Sequence, residues 1–196
     1  LVGSEMCIRD SIRAVKNEIL SSKICRCFDC RQVLYEESMF DGQKVSKSRI
    51  ITSVDYSMVS MEAFEIYAAN HDIHVMDFVL KLDAYSYYMM NLLDYLIGNT
   101  DRHWGNWGFL VDNRTNQPVR LFDLMDLNQT FLAYDTPDGA NCMTTGNRKM
   151  SQREAAVEAV KKIGLNQRAE IKDEWFEGRE KEREMFWCRF GILKEQ

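Results

Sequence analysis

Three oxygen-bearing side chains, Asp101, Asn106 and Asp126, have the types and spacing that phosphoryl transfer to a hydroxyl requires. Such a transfer passes through a loose transition state with charge spread over the phosphoryl oxygens, so a protein contributes positioning and electrostatic stabilisation. A carboxylate such as Asp101 can take or orient the proton of the attacking hydroxyl. Magnesium binds hard oxygens in near-octahedral geometry and keeps several waters, so one amide oxygen, Asn106, and one carboxylate, Asp126, suffice beside the phosphates of a nucleotide. His103 falls between them, with two roles open to its imidazole: a catalytic place near the phosphates, or a brace for the loop.

The intervening chain must fold back to bring Asp126 to Asn106. Trp107 to Val111 is rich in strand formers, Asp112 to Pro118 is turn chemistry, and Val119 to Phe122 is a second strand, which predicts a hairpin. Upstream, Phe78, Leu82, Tyr85, Met89, Leu92, Leu93 and Leu96 mark a helix from about Val75 to Ile97. Gly98 ends it, since glycine takes the left-handed cap conformation at little cost.

The segment Tyr95-Leu96-Ile97-Gly98-Asn99-Thr100-Asp101-Arg102-His103-Trp104-Gly105-Asn106-Trp107-Gly108-Phe109-Leu110, followed by Leu124-Met125-Asp126, resembles the HipA-like serine/threonine kinases. Their pattern is Asp-x-His-x-x-Asn, an aromatic residue, a strand, and Asp after two apolar residues. Lipid kinases share the loop but usually carry Asp-Phe-Gly at the last step, where residue 128 is Asn here. Asp123, three residues before Asp126, stands where HipA-like kinases more often have proline, so two carboxylates compete for the metal; Asp126 sits at the family position. The resemblance implies an α+β kinase-like fold, ATP and Mg2+ as cofactors, and a protein Ser or Thr hydroxyl as acceptor. Some such kinases are toxins held by an antitoxin, which makes an antitoxin-type partner a further expectation. A lipid or small-molecule kinase and a non-catalytic pseudokinase are the alternatives.

The same resemblance divides the chain into three parts. Residues 1–11 read as a translated sequencing-library adaptor and are set aside. Residues 12–57 read as a remnant of the small lobe and hinge. They hold a helix from Ser11 to Cys30, strands at Gln32–Tyr35 and Lys44–Thr52 around the turn Asp41-Gly42, and a connector Ser53–Tyr56. Backbone groups of Asp55 and Tyr56 would meet the adenine ring if that connector is a hinge. Glu18 is either the small-lobe glutamate that pairs with a phosphate-binding lysine or a solvated helix residue; no strand lysine or glycine-rich loop matching the family is recognisable before Asp101. Residues 58–196 read as the large, catalytic lobe. The expectation is therefore an N-terminally truncated fragment, inactive by itself.

Beyond Asp126, Ser151-Gln152-Arg153-Glu154 is a capping box opening a helix to Ile163, and Asp173 is placed to cap a last helix carrying Trp175 to Leu193. Of the six cysteines, Cys25, Cys27 and Cys30 cluster, but no fourth ligand lies nearby, which favours small buried thiols over a zinc site. The reduced thiols, with no apolar run of membrane-span length, point to the cytoplasm. A net charge of -5 argues against direct nucleic-acid binding by the chain as a whole.

Overall fold

The computed structural model describes residues 4–7, 12–145 and 149–196. The architecture is α+β, with two small antiparallel sheets and five α-helices among the described residues. Strand β1 (Ser4–Cys7), helix α1 (Ile12–Cys25) and the hairpin β2 (Tyr35–Phe40) to β3 (Gln43–Arg49) form the first layer, with β3 central in the order β1-β3-β2. Within the segment read as adaptor, residues 4–7 pair with β3 from Ser4↔Arg49 to Cys7↔Ser46; residues 1–3 and 8–11 lie outside the described residues. The hairpin turns at Asp41-Gly42 as expected, and Gly42 takes the positive φ of 73° that such a turn demands.

Helix α1 stops at Cys25, five residues earlier than expected. Its last turn buries Ile24 and Cys25, and Cys27 and Phe28 follow it into the core. The helix also buries Val15 and Leu20, and adds polar contacts: Asn17 donates to Thr130 O at 2.8 Å, Ser21 donates to Thr130 Oγ1 at 2.8 Å, and both are buried. A helix docked through satisfied side-chain bonds holds one orientation, because any slip leaves buried polar atoms unpaired. The helix is thereby fixed to the segment just after Asp126.

The second sheet, order β4-β5-β6, comprises β4 (Tyr56–Ser60), β5 (Gly108–Asp112) and β6 (Gln117–Leu121). The hairpin is where the strand formers place it. Strand β4 takes in the end of the expected connector and runs into the large lobe, its residues 58–60 pairing with β5 from Met58↔Leu110 to Ser60↔Gly108. Ser60 then caps α2 (Met61–Ala69), its side chain accepting from Ala63 N at 3.2 Å. A Cβ on Gly108 would collide with the Val59 carbonyl oxygen and come within 2.8 Å of Ser60 Cα, both backbone. Gly108→Ala is therefore expected to destabilise the protein by about 1–3 kcal/mol in denaturant unfolding; an unchanged midpoint would show that β4 does not pack against this site.

Helix α3 (Val75–Ile97) is broken at Asp83, whose φ of −155° and ψ of 63° leave the helical region. Its carboxylate explains the break. Oδ1 accepts from Ser86 N at 3.2 Å as an N-cap, while Oδ2 accepts from Leu121 N at 3.1 Å and from Arg31 at 2.5 Å. One side chain thus ties α3 to β6 and to the loop after α1. The second half of α3 is the core of the molecule: Leu92, Leu93, Tyr95, Leu96 and Ile97 are fully buried, and α4 (Gln152–Ile163) packs along it. The capping box of α4 is present in both directions. The final helix departs from expectation. Asp173 starts a short 3-10 turn to Phe176, and α5 (Glu180–Lys194) begins separately, after Gly178 at φ 70°. Asp173 accepts from the Trp187 indole at 2.6 Å instead of capping a helix.

Candidate active site

The loop bearing Asp101 is built on the end of α3. Gly98 caps the helix in the left-handed conformation at φ 58°, and its N–H returns to Asp94 O and Tyr95 O. A side chain there would strike the Tyr134 ring and stand 2.8 Å from Leu132 O. Asn99, 1% exposed, turns the chain: its Nδ2 donates to Asp94 Oδ1 at 2.9 Å and its Oδ1 accepts from Asp101 N at 3.1 Å.

Arg102 organises the rest of the loop. The guanidinium is 3% exposed and forms a fork with Asp94, Nε to Oδ2 at 2.8 Å and NH2 to Oδ1 at 3.1 Å. Its NH1 donates to two carbonyls, Asn106 O at 2.8 Å and Met125 O at 2.7 Å. Those carbonyls belong to one expected metal ligand and to the neighbour of the other, so a single cation clamps the two chain segments together. Burial alone would lower the Arg102 pKa, but the Asp94 charge and its hydrogen bonds outweigh that and hold it above the ordinary value.

The candidate side chains sit around this clamp. Asn106 Nδ2 donates to Asp101 O at 2.8 Å and to Asp101 Oδ2 at 3.3 Å, which orients the amide and commits its nitrogen, leaving Oδ1 as the oxygen for another partner. His103 Nδ1 accepts from Gly105 N at 3.0 Å, so the ring proton resides on Nε2, 3.7 Å from Asp101 Oδ1. The imidazole thus braces the loop and faces the carboxylate at once. Gly105 permits this, since a Cβ would lie 2.8 Å from His103 Cε1. Asp101 and His103 side chains are 41% and 47% exposed, open to a reactant.

Asp126 follows directly from the clamped Met125. Its N–H donates to the Tyr35 hydroxyl at 3.1 Å, and its φ of 54° places a non-glycine residue in the left-handed region. Such conformations are costly for a side-chain-bearing residue and gather where surrounding structure enforces them. Here the enforcing contacts are Arg102, Tyr35 and the bridge from Val33 N to Leu124 O at 2.9 Å. Asp123, the rival carboxylate, is engaged by Arg120 at 2.5 Å. Asn106 and Asp126 supply hard oxygens that suit magnesium, and no cluster of three or more His, Cys, Asp or Glu side chains competes for a cation among the described residues.

Asp55 and Tyr56 stand apart from this group. Tyr56 pairs with Asp112 and Asp55 with Arg114 at 2.7 Å, at the turn end of the hairpin, while Asn106 precedes its other end. The five residues of β5, four rises or about 14 Å, separate the two ends. Glu18 is fully buried, contrary to a solvated helix residue, and accepts from Ser46 Oγ on β3. Thr144 is buried and donates to Asn91. Cys25 and Cys27 are buried free thiols as expected, and burial pushes Cys30 up to about 12.

Sequence reasoning missed Arg102, Asp94, Asn99 and Tyr35. One signal was present: Asp94 interrupts the apolar run Leu92 to Ile97, and a carboxylate in a helix face bound for the core requires a cation.

A loop and hairpin seated on a long buried helix, with a small antiparallel sheet and a single helix packed beside them, make a kinase-like fold. Among solved structures the chain is similar to a Helicobacter pylori proinflammatory kinase, CtkA, with a TM-score of 0.67 at 12% identity, covering 97% of this chain and 83% of that one. No protein-family model matches the chain, and no curated protein matches it in sequence. Among the described residues no helix is long and apolar enough to cross a membrane.

Proposed function

We propose that this chain is the catalytic part of an ATP- and Mg2+-dependent HipA-like kinase that transfers the γ-phosphoryl group to a Ser or Thr hydroxyl of a protein. The observation that carries the reading is the Arg102 clamp, which brings the Asp101–Asn106 loop and the Met125–Asp126 segment together in a fold like that of a kinase. Asp101 receives the hydroxyl proton, and His103, holding its proton on Nε2, keeps that carboxylate oriented. Asn106 and Asp126 would hold magnesium, which supplies charge neutralisation at the phosphates. Adenine would lie toward the Asp55–Tyr56 end of the hairpin, a distance that suits the length of a nucleotide. A cytoplasmic location and an antitoxin-type partner belong to the same reading.

The test is transfer of label from γ-labelled ATP by the full-length protein. Phosphoserine or phosphothreonine on protein, dependent on Mg2+, is expected. Label found only on inositol lipid or sugar would assign the site to a different acceptor, and no transfer at all would make the fold non-catalytic.

A further inference from the structure

Arg189, on α5, is a cation sealed in the core. It is fully buried and makes no ion pair among the described residues; Asp138, a carboxylate whose charge reaches it, is engaged by Arg153 at 3.2 Å. A guanidinium without a counter-ion is costly to bury, so oriented oxygens and ring faces must compensate it. NH1 donates to Tyr95 O at 2.7 Å, and NH2 donates to Ala133 O at 2.6 Å and to Thr136 O at 3.0 Å. The cation lies 4.3 Å from the centre of the Tyr134 ring and 4.9 Å from that of Tyr95. Tyr95 belongs to the last turn of α3, where the helix dipole is negative and favours a positive charge.

These contacts meet at the root of the Asp101 loop. A helix end leaves its last carbonyls without partners inside the helix. At α3 the chain that follows Asp126 takes them: Leu96 O accepts from the Tyr134 hydroxyl, Ile97 O from Phe131 N at 2.7 Å, and Gly98 O from Leu132 N at 3.2 Å. Gln129 O accepts from Thr100 N at 3.3 Å, one residue before Asp101. The course of this segment is strained, since Phe131 and Ala133 hold φ of 57° and 48°. Side-chain-bearing residues stay in that region only where their surroundings enforce it, and Arg189 grips the carbonyl of Ala133.

We infer that Arg189 is a positioning residue: from the last helix it fixes where the turn leading to Asp101 stands against the chain leaving Asp126. It bonds to neither aspartate and acts through Tyr95, Ala133 and Thr136. The effect on turnover rests on the phosphoryl transfer proposed above; the effect on backbone position does not.

Amide hydrogen exchange and γ-phosphoryl transfer by the full-length protein test the inference in Arg189→Met, which removes the fork without stranding a carboxylate. The amides of Thr100, Phe131 and Leu132 are expected to exchange about tenfold faster, while those of β5 keep their rates. A fall in kcat of about tenfold to 10²-fold is expected from the displaced loop, with KM for ATP unchanged. Phe190→Leu, an apolar change at the next position of α5, is expected to alter neither the three amides nor kcat. Unchanged exchange at the three amides in Arg189→Met, the same acceleration in Phe190→Leu, or faster exchange with undiminished kcat would each overturn the inference. A wild-type protein that transfers no phosphate would remove the proposed reaction instead, and the exchange comparison would still decide the position. Should Arg189→Met fail to fold, Arg189→Lys, which keeps the charge and loses the fork, is read in the same way; failure of both to fold would make Arg189 purely structural and overturn the inference.

Discussion

Asp101→Asn in the full-length protein is expected to lower kcat for phosphoryl transfer by about 10²- to 10⁴-fold, the contribution of a positioned general base, with KM for ATP nearly unchanged. The neutral amide cannot take the hydroxyl proton, and the approach of His103 Nε2 to the carboxylate loses its electrostatic reason. Stability should hardly move. The main bond from Asn106 goes to the Asp101 backbone carbonyl at 2.8 Å and survives the change, and the lost contact to Oδ2 is the longer one at 3.3 Å. A variant with near-normal turnover would remove Asp101 from the chemistry. A variant that unfolds would show that the side chain is structural instead.

Arg102→Met should act in the opposite way, first on the fold. The guanidinium is buried and makes four bonds, two to Asp94 and two to main-chain carbonyls. Removing it leaves the Asp94 carboxylate in the core without its cation, at a cost of about 3–5 kcal/mol. For a chain of this size that corresponds to a fall in Tm of roughly 6–20 °C. Asp94→Leu combined with Arg102→Met should recover part of the loss, because the uncompensated charge goes while the packing volume stays. The double variant should still transfer phosphate poorly, since Asn106 O and Met125 O would no longer be tied to one donor. A double variant with full activity would mean that the two segments meet without the clamp.

The parts of the molecule governed by local rules were legible in its amino acids. The β5–β6 hairpin, the α4 capping box and the glycine stop at 98 each depend on neighbours within a few residues, and each is found near its expected place. The elements that differ answer to distant partners. Asp83 breaks α3 because Leu121 N and Arg31 draw its carboxylate away, and β4 exists because β5 offers it an edge. The first strand of the small-lobe hairpin, expected at Gln32–Tyr35, runs instead from Tyr35 to Phe40, because its register is set by pairing with β3. In the site, the residue types bound to the expected chemistry were readable, and their frame was not. Arg102 reads as a loop cation; only its position against Asp94, eight residues earlier, reveals a clamp.

The central claim is that Asn106 and Asp126 form one cation site beside Asp101. Paramagnetic broadening of backbone amide signals by Mn2+ in the presence of ATP measures it directly. Broadening centred on residues 101–106 and 125–127, lost in Asp126→Asn while the rest of the spectrum is unchanged, is the expected result. Broadening centred elsewhere, or the same pattern in Asp126→Asn, would contradict it.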